Sequence, residues 1–565
     1  MTNDSRTIVI VGGVAGGATA AARARRCNEK ARIIVFEKSG YVSFANCGLP
    51  YYLGGEIKQR DKLLVATPER FRTRFNVDVR TQHEVLAIDR QAKCVTVVNL
   101  STGQTFEQPY DKLILAPGAK AMVPNLSGSD AGNVFVLRNM EDTDRIRTWL
   151  DQKQPQRAVV VGAGFIGLEM VEQLKRRGLQ VALVELLPQV LPPLDAEMAH
   201  VVEEELRRQG VELHLGDAIA GIVVEQGIAR QVTLDSGAAL DADIVLIGIG
   251  VRPNTKLAVS ANLEIGESGG IRVNRHMQTS DPAIYAVGDA VQYEHGVLER
   301  PMRIALAGPA NRAGRVAGQH AAMDDAPPMA PVLGTSVVRA FAATAAMTGL
   351  SLKMAARFER PATAVTIETK HHAGYYPGAQ TMLLKLVYEP RSGKVLGAQA
   401  VGGAGVDKRI DVISTAIHFD TTVHDLASLD LAYAPPLGSA KDPVHMAAFV
   451  ACNQLDGLLD VVQPQEDLAG KQVVDVRTEK EFAADHLPGV VHIPVDQLRD
   501  RLAELDPARD TVTICRSGLR SYLAARLLMQ HGFKHVSDLT GGMVMRHHAR
   551  ASGMLDEADG KNECA

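Results

Sequence analysis

Residues 7–20 read Thr-Ile-Val-Ile-Val-Gly-Gly-Val-Ala-Gly-Gly-Ala-Thr-Ala. The β-branched run predicts a buried strand, the glycines a tight turn, and the alanines a helix. In such a turn a dinucleotide's pyrophosphate rests on the first amides of the helix, where the dipole is positive and no Cβ intrudes. Gly12 and Gly17 fit the first and third glycines of G-x-G-x-x-G, Val14 stands at the middle one, and Ala15 and Gly16 fill the turn. The next apolar run, Ile33-Ile34-Val35-Phe36, ends in Glu37-Lys38. That is close to the interval of about 20 residues at which an acid meets a ribose.

A second copy follows at 157–170, Arg-Ala-Val-Val-Val-Gly-Ala-Gly-Phe-Ile-Gly-Leu-Glu-Met, in which Gly162, Gly164 and Gly167 fill every glycine position. Phe165 and Ile166 lie between them; Phe165 is either a packing residue or a ring that moves aside for a nicotinamide. The next strand ends in Glu185. An acid there bonds the ribose 2′-hydroxyl of NAD and repels the 2′-phosphate of NADP, so NADH is expected over NADPH. Two such motifs imply two dinucleotides, FAD and a nicotinamide. Lys112–Ala119, with Ala116 and Gly118, predicts a strand and turn returning to the first sheet. In Asp281–Ala290, Asp289 is placed to accept from the ribityl or pyrophosphate region of FAD. The expected division is an FAD-binding domain at 1–150 and 251–326, with an NAD(P)H-binding domain at 151–250 inserted.

Between the first two strands and the rest lies Tyr41-Val-Ser-Phe-Ala-Asn-Cys47-Gly-Leu-Pro-Tyr51. Position five after Cys47 is Tyr52, so no neighbouring thiol can close a disulfide with it. A lone thiol beside a redox cofactor stores its oxidising equivalents as a mixed disulfide, a persulfide or a sulfenic acid. The plain alternative is a buried structural cysteine. The first helix carries Arg23, Arg25 and Arg26, either a solvated face or contacts to a substrate phosphate.

From about 327 strand-like alternation appears, with tyrosines at 375 and 433 beside Gly or Pro; this predicts a further α+β domain at 327–452. Residues 453–471 read as a polar linker. A separate α/β unit follows at 472–565, where an apolar strand runs into Cys515-Arg-Ser-Gly-Leu-Arg520 and then a helix. Successive amides in that loop form an anion nest, and Arg516 and Arg520 add charge, a setting that favours a thiolate or persulfide anion.

The net charge of -4 gives no reason to expect nucleic acid as a partner. No apolar run spans a bilayer, and no secretory leader is evident. The 6 cysteines are scattered without metal-ligand spacing, so no metal is expected, and free thiols point to a cytoplasmic setting.

Taken together, the two nucleotide motifs, the lone cysteine in Ser-Phe-Ala-Asn-Cys-Gly-Leu-Pro-Tyr and the tyrosine segments resemble the coenzyme A–disulfide reductase family over roughly 7–450. The last hundred or so residues look like a single rhodanese domain. The whole is similar to coenzyme A–disulfide reductase/rhodanese fusions, also described as NADH-dependent persulfide reductases. Two positions depart from the pattern: Leu437 stands where a tyrosine is expected, and Met543 where rhodaneses often place an aromatic residue.

The resemblance implies FAD, NADH and coenzyme A as cofactors and substrate, and a homodimer, with the α+β domain at 327–452 as its dimerisation domain. Cys47 would be the redox thiol, with Ser43 and Asn46 lining its pocket and Arg23 and Arg26 near the coenzyme A phosphates. Tyr375 and Tyr433 would reach the substrate sulfur, Tyr433 from the other subunit. Cys515 would carry sulfane sulfur. The rival functions are an NADH oxidase or peroxidase cycling a cysteine sulfenic acid, and a non-catalytic redox-sensing module.

Overall fold

The computed structural model describes residues 5–555; Cys564 lies outside them. The chain divides into two compact units. One runs to Val184 and resumes over Ala218–Gly334; the other takes Glu185–Asp217 and the chain from Thr335 onward.

The first unit holds a parallel sheet in the order Ile284–Ala286, Lys112–Leu115, Thr7–Val11, Arg32–Glu37, Asp78–Thr81. Apart from the edge strand Asp78–Thr81, its strands are buried along nearly their whole length, which is why they read as continuous apolar runs rather than alternations. The helix Ala15–Cys27 packs against the helix Ala307–Met323. That contact needs glycine: a Cβ on Gly314 would lie 2.3 Å from the Gly16 carbonyl oxygen, and one on Gly318 2.4 Å from that of Ala20. A second parallel sheet runs Gln180–Glu185, Arg157–Val161, Ile244–Ile247, Val134–Phe135, with the helix Phe165–Arg176 following its central strand. Each of these sheets is accompanied by a three-stranded antiparallel ribbon, His83–Asp89 to Thr105–Pro109 and Ile219–Glu225 to Ala239–Asp241.

The second unit begins its own architecture with an antiparallel sheet ordered Ser336–Ala340, Ala343–Gly349, Val395–Gly402, Thr381–Tyr388, Thr363–Lys370. Lys385, on a central strand, is fully buried between Asp195 at 2.7 Å and Glu197 at 2.5 Å. Burial alone would lower its pKa, but the two carboxylates overcome this and hold it raised. Removing either partner would leave uncompensated charge in the core.

The C-terminal α/β layer of this unit is a parallel sheet ordered Asp460–Val462, Val536–Leu539, Thr511–Ile514, Gln472–Asp475, Val491–His492. The interval 453–471, read above as a linker, therefore contains the end of the helix Pro443–Leu455 and the edge strand Asp460–Val462. Leu459 and Val462 are buried there, and this apolar content outweighs the polar residues around them. Among the described residues no helix is long and apolar enough to cross a membrane.

Candidate functional site

Both nucleotide turns form at their glycines. Gly12 has φ +93°, and a Cβ on it would sit 2.1 Å from the Ala116 oxygen; a Cβ on Gly17 would sit 1.9 Å from the Gly12 oxygen. The helix Ala15–Cys27 starts at Val14 with no side chain capping its first amides, so those donors face whatever anion the turn receives. Glu37 is buried, and its carboxylate accepts from the amides of Gly13 and Ser39. Burial pushes its pKa up while those two amides oppose the shift. Lys38 instead pairs with Glu84 at the surface. Ala116 donates its amide to Val11, and Gly118 takes φ +65° in the turn beyond it.

The second turn repeats the construction. Gly162 has φ +103°, its Cβ position blocked by the Gly248 oxygen at 2.5 Å, and Gly167 abuts the Gly162 oxygen at 1.9 Å. Gly164 caps the helix Phe165–Arg176 with backbone only; Phe165 and Ile166 are half-buried at its start. Glu185 closes its strand, and its Oε1 accepts from the Leu187 amide at 3.0 Å.

Cys47 lies in the 3₁₀ turn Asn46–Gly48, just ahead of the helix Leu49–Gly54. Its side chain reaches solvent, yet the surrounding protein strips enough water to push the thiol's pKa up. Glu169 and Asp289 add to that rise, and Arg138 opposes it. The sequence reading missed Arg138 and Glu169. The Arg138 guanidinium is paired with Asp289 and donates to the Ala119 carbonyl at 3.1 Å, while its own carbonyl accepts from Asn46 Nδ2 at 2.5 Å. Asn46, Arg138 and Asp289 thus connect the cysteine turn to the second FAD motif. Ser43 holds the segment through its backbone, in a left-handed conformation at φ 49°, donating to Gly13 and accepting from Val65.

The three helix arginines separate sharply. Arg25 is buried and donates to five backbone carbonyls, those of Phe75, Asn28, Glu29, Ala31 and Asn76. It ties the helix end to the following loops and is neither of the things the sequence suggested. Arg23 is held by Gln319, and Arg26 is exposed.

In the second unit Tyr375 and Tyr433 touch, hydroxyl to hydroxyl at 3.0 Å, and both are exposed. The two phenols therefore share one exposed surface of a single chain.

Cys515 is buried at the end of the strand Thr511–Ile514. Its sulfur accepts from the Gly518 amide at 3.1 Å and from the Ser521 hydroxyl at 3.2 Å. Gly518 takes φ +113° to open the helix Leu519–Gln530, and a Cβ on Gly542 would lie 2.5 Å from the Cys515 oxygen. Both arginines are paired with carboxylates, and Arg520 also hydrogen-bonds the Cys515 sulfur. Arg520 forms a bidentate pair with Glu481 at 2.6 and 2.7 Å, which holds the Glu481 carboxyl well below the usual range. Arg516 reaches Glu368 on the strand Thr363–Lys370 at 2.9 Å. Thr540 and Gln463 bond the backbone of the same strand at Thr366 and Ala364. The loop is therefore docked against that edge strand.

These arrangements define a two-dinucleotide oxidoreductase with a single redox-type cysteine, joined to an α/β unit with a loop-borne cysteine. The pyridine nucleotide-disulphide oxidoreductase model matches residues 6–314, its dimerisation domain 336–443, and the rhodanese-like domain 459–545. The chain belongs to the pyridine nucleotide-disulphide oxidoreductase family. It is 39% identical over 446 residues to the coenzyme A disulfide reductase of Staphylococcus haemolyticus, covering 79% of this chain and 99% of that one. The structure of reduced Bacillus anthracis CoADR-RHD aligns with a TM-score of 0.94 at 46% identity, over 97% of this chain and 99% of that one. The NAD-dependent persulfide reductase of A. fulgidus aligns at 0.89 with 38% identity, over 95% and 99%.

Proposed function

We propose that the chain is an NADH-dependent reductase of coenzyme A persulfide, with coenzyme A disulfide and polysulfides as further substrates, fed by its own rhodanese domain. The observation that carries this reading is a lone Cys47 beside one nucleotide turn combined with a loop-held Cys515 in the same chain. An oxidase or peroxidase has no use for a sulfur carrier, and a sensor has no need of two intact nucleotide turns. The FAD-binding limits 1–150 and 251–326, the NAD(P)H-binding limits 151–250 and the dimerisation limits 327–452 remain part of this proposal, with the rhodanese domain starting near Asp460 rather than at 472.

The first turn fits FAD, because every glycine it needs closes a contact that a Cβ would block. Gly12, Val14, Ala15, Gly16 and Gly17 would hold the pyrophosphate, with Glu37, Ala116, Gly118 and Asp289 around the rest. The second turn would hold NADH through Gly162, Gly164, Gly167 and Glu185. FAD bound there would supply two electrons from NADH to a disulfide at Cys47. The chain's own part is as follows. The Cys47 thiolate attacks the inner sulfur of coenzyme A persulfide, forming a mixed disulfide and releasing hydrosulfide. Two electrons and one proton then cleave that bond and return the thiolate and coenzyme A thiol. Overall, one persulfide and one NADH give one thiol, one hydrosulfide and NAD⁺. Arg138 is the cation that favours the thiolate against Glu169 and Asp289.

At the second sulfur site, the Gly518 amide and Ser521 hydroxyl hold the Cys515 sulfur while it accepts sulfane sulfur from a donor persulfide, releasing the donor as a thiol. A homodimer is supported by the dimerisation-domain match and by exposed apolar side chains there, including Phe419, Tyr375 and Leu437. The test is NADH consumption with coenzyme A persulfide, coenzyme A disulfide, polysulfide, oxygen and peroxide side by side. Turnover on oxygen or peroxide exceeding that on every sulfur substrate would overturn the reading.

A further inference from the structure

Inside the second unit, His200 and His548 face each other with Nδ1 atoms 3.0 Å apart, 5% and 7% exposed. His200 lies on the helix Ala196–Arg208 and His548 on the helix Gly542–Ala551, 348 residues apart in the chain. Glu204, one turn along from His200, brings Oε1 to 3.9 Å from His200 Nδ1 and Oε2 to 3.9 Å from His548 Nδ1. His547 Nε2 stands 3.9 Å from the same Glu204 Oε1. Burial disfavours the charged form of both inner imidazoles. A pair of neutral rings meeting through the same nitrogen has only one way to bond: one must donate and the other accept.

The donor atoms of His200, Glu204 and His548 all lie within 4.8 Å of one another. Around one ion with bonds of about 2.0–2.1 Å, tetrahedral ligand atoms stand roughly 3.4 Å apart, and the separations above bracket that value. Neutral imidazole and ionised carboxylate are the forms that ligate. Two nitrogens with one oxygen favour a zinc-class ion over magnesium or calcium, which prefer oxygen alone.

We propose that His200, Glu204 and His548 form a binding site for a divalent transition-metal ion of the zinc class, with His547 available as a fourth ligand. The ion would pin the last helix of the rhodanese domain to the helix Ala196–Arg208. Its role is structural, since no substrate-contacting residue is among the ligands. Spacing along the chain could not announce it, because only folding brings His200 and His548 together.

The experiment uses full-length, flavin-loaded protein stripped with a chelator. Its cysteines are alkylated to remove thiolates as competing ligands, and it is then titrated with zinc chloride by calorimetry. One ion per chain is expected. Glu204→Gln, an exposed and nearly isosteric change, should weaken binding at least about tenfold, as loss of a metal ligand does, and His548→Ala should weaken it further. Zinc should also slow proteolytic release of the C-terminal domain in the unmodified site but not in Glu204→Gln. Zinc uptake that is absent, or unchanged by both substitutions while flavin content stays normal, overturns the proposal.

Discussion

The Ser521 hydroxyl donates to the Cys515 sulfur at 3.2 Å, from one turn into the helix that the sulfur's own loop initiates. The Gly518 amide is a further donor, and Arg520 reaches the sulfur too while paired with Glu481; Arg516 is engaged by Glu368. Hydrogen bonds to a charged group contribute about 1.5–3 kcal/mol. Ser521→Ala should therefore slow sulfur transfer from a thiosulfate or persulfide donor by about tenfold or more. NADH-dependent reduction of preformed coenzyme A persulfide should stay within about twofold, and comparing the two assays on one preparation checks this.

Cys47→Ser should retain FAD and NADH binding but lose reduction of disulfides and persulfides by about a thousandfold or more, since a hydroxyl cannot replace a thiolate as nucleophile. Among the described residues the other cysteines stand outside both nucleotide turns. Near-native turnover by the mutant would remove Cys47 from the mechanism.

NADH should be preferred over NADPH. Glu185 ends its strand and is followed by exposed Leu186 and Leu187, which offer no cation to a 2′-phosphate. The discrimination in kcat/KM should reach one to two orders of magnitude, about 1.4 kcal/mol per tenfold, and Glu185→Ser should narrow it. Equal efficiency with both cofactors would contradict this.

Asp538 sits wholly buried in the rhodanese sheet, where desolvation raises its carboxyl from an ordinary 3.8 to about 8. The folded state favours the protonated form. Its stabilising contribution is thus full below about pH 4 and is lost as pH rises through about 8, at a slope of up to about 1.4 kcal/mol per pH unit. Asp538→Asn should flatten that decline. Amide exchange of the strand Val536–Leu539 between pH 5 and 8, corrected for the intrinsic rate at about tenfold per unit, reads it out. A wild-type profile as flat as the mutant's would sink the claim.

Both glycine turns, the lone Cys47 and the Cys515 loop were legible because their chemistry is carried by residues adjacent in sequence. The site partners that were not legible arrive from afar. Arg138 meets Asp289 across 151 residues, and Arg516 meets Glu368 across 148. Nothing in the local pattern distinguishes Arg25, which caps carbonyls, from its neighbours Arg23 and Arg26, because all three lie on one short helix and only tertiary packing separates them. The strand Asp460–Val462 was hidden for a related reason. Three residues are too few for a period, and its partner Val536–Leu539 lies far along the chain.

The docking of the Cys515 loop bears on how two sulfur sites share a chain. Cys515 and Cys47 are separated by more than four hundred residues. The rhodanese domain is not loosely tethered within its unit: Arg516 pairs with Glu368, Thr540 with Thr366, and Gln463 with Ala364. Freeing the loop would mean breaking several bonds at once. A carrier with a long flexible arm avoids that, and coenzyme A has such an arm. Coenzyme A thiolate would take the outer sulfur from a Cys515 persulfide, leaving the Cys515 thiolate, and carry it as coenzyme A persulfide to Cys47. Covalent linkage of the two domains would raise the effective concentration of one site at the other to about the millimolar range for a short connection. Cys515→Ala should therefore abolish turnover with donors that must first load the rhodanese site, while sparing most reduction of preformed coenzyme A persulfide. Omitting coenzyme A should silence donor-dependent turnover in the wild type. If Cys515→Ala loses both activities equally, with flavin content and fold intact, the carrier scheme is wrong and Cys515 acts within the reductive step itself.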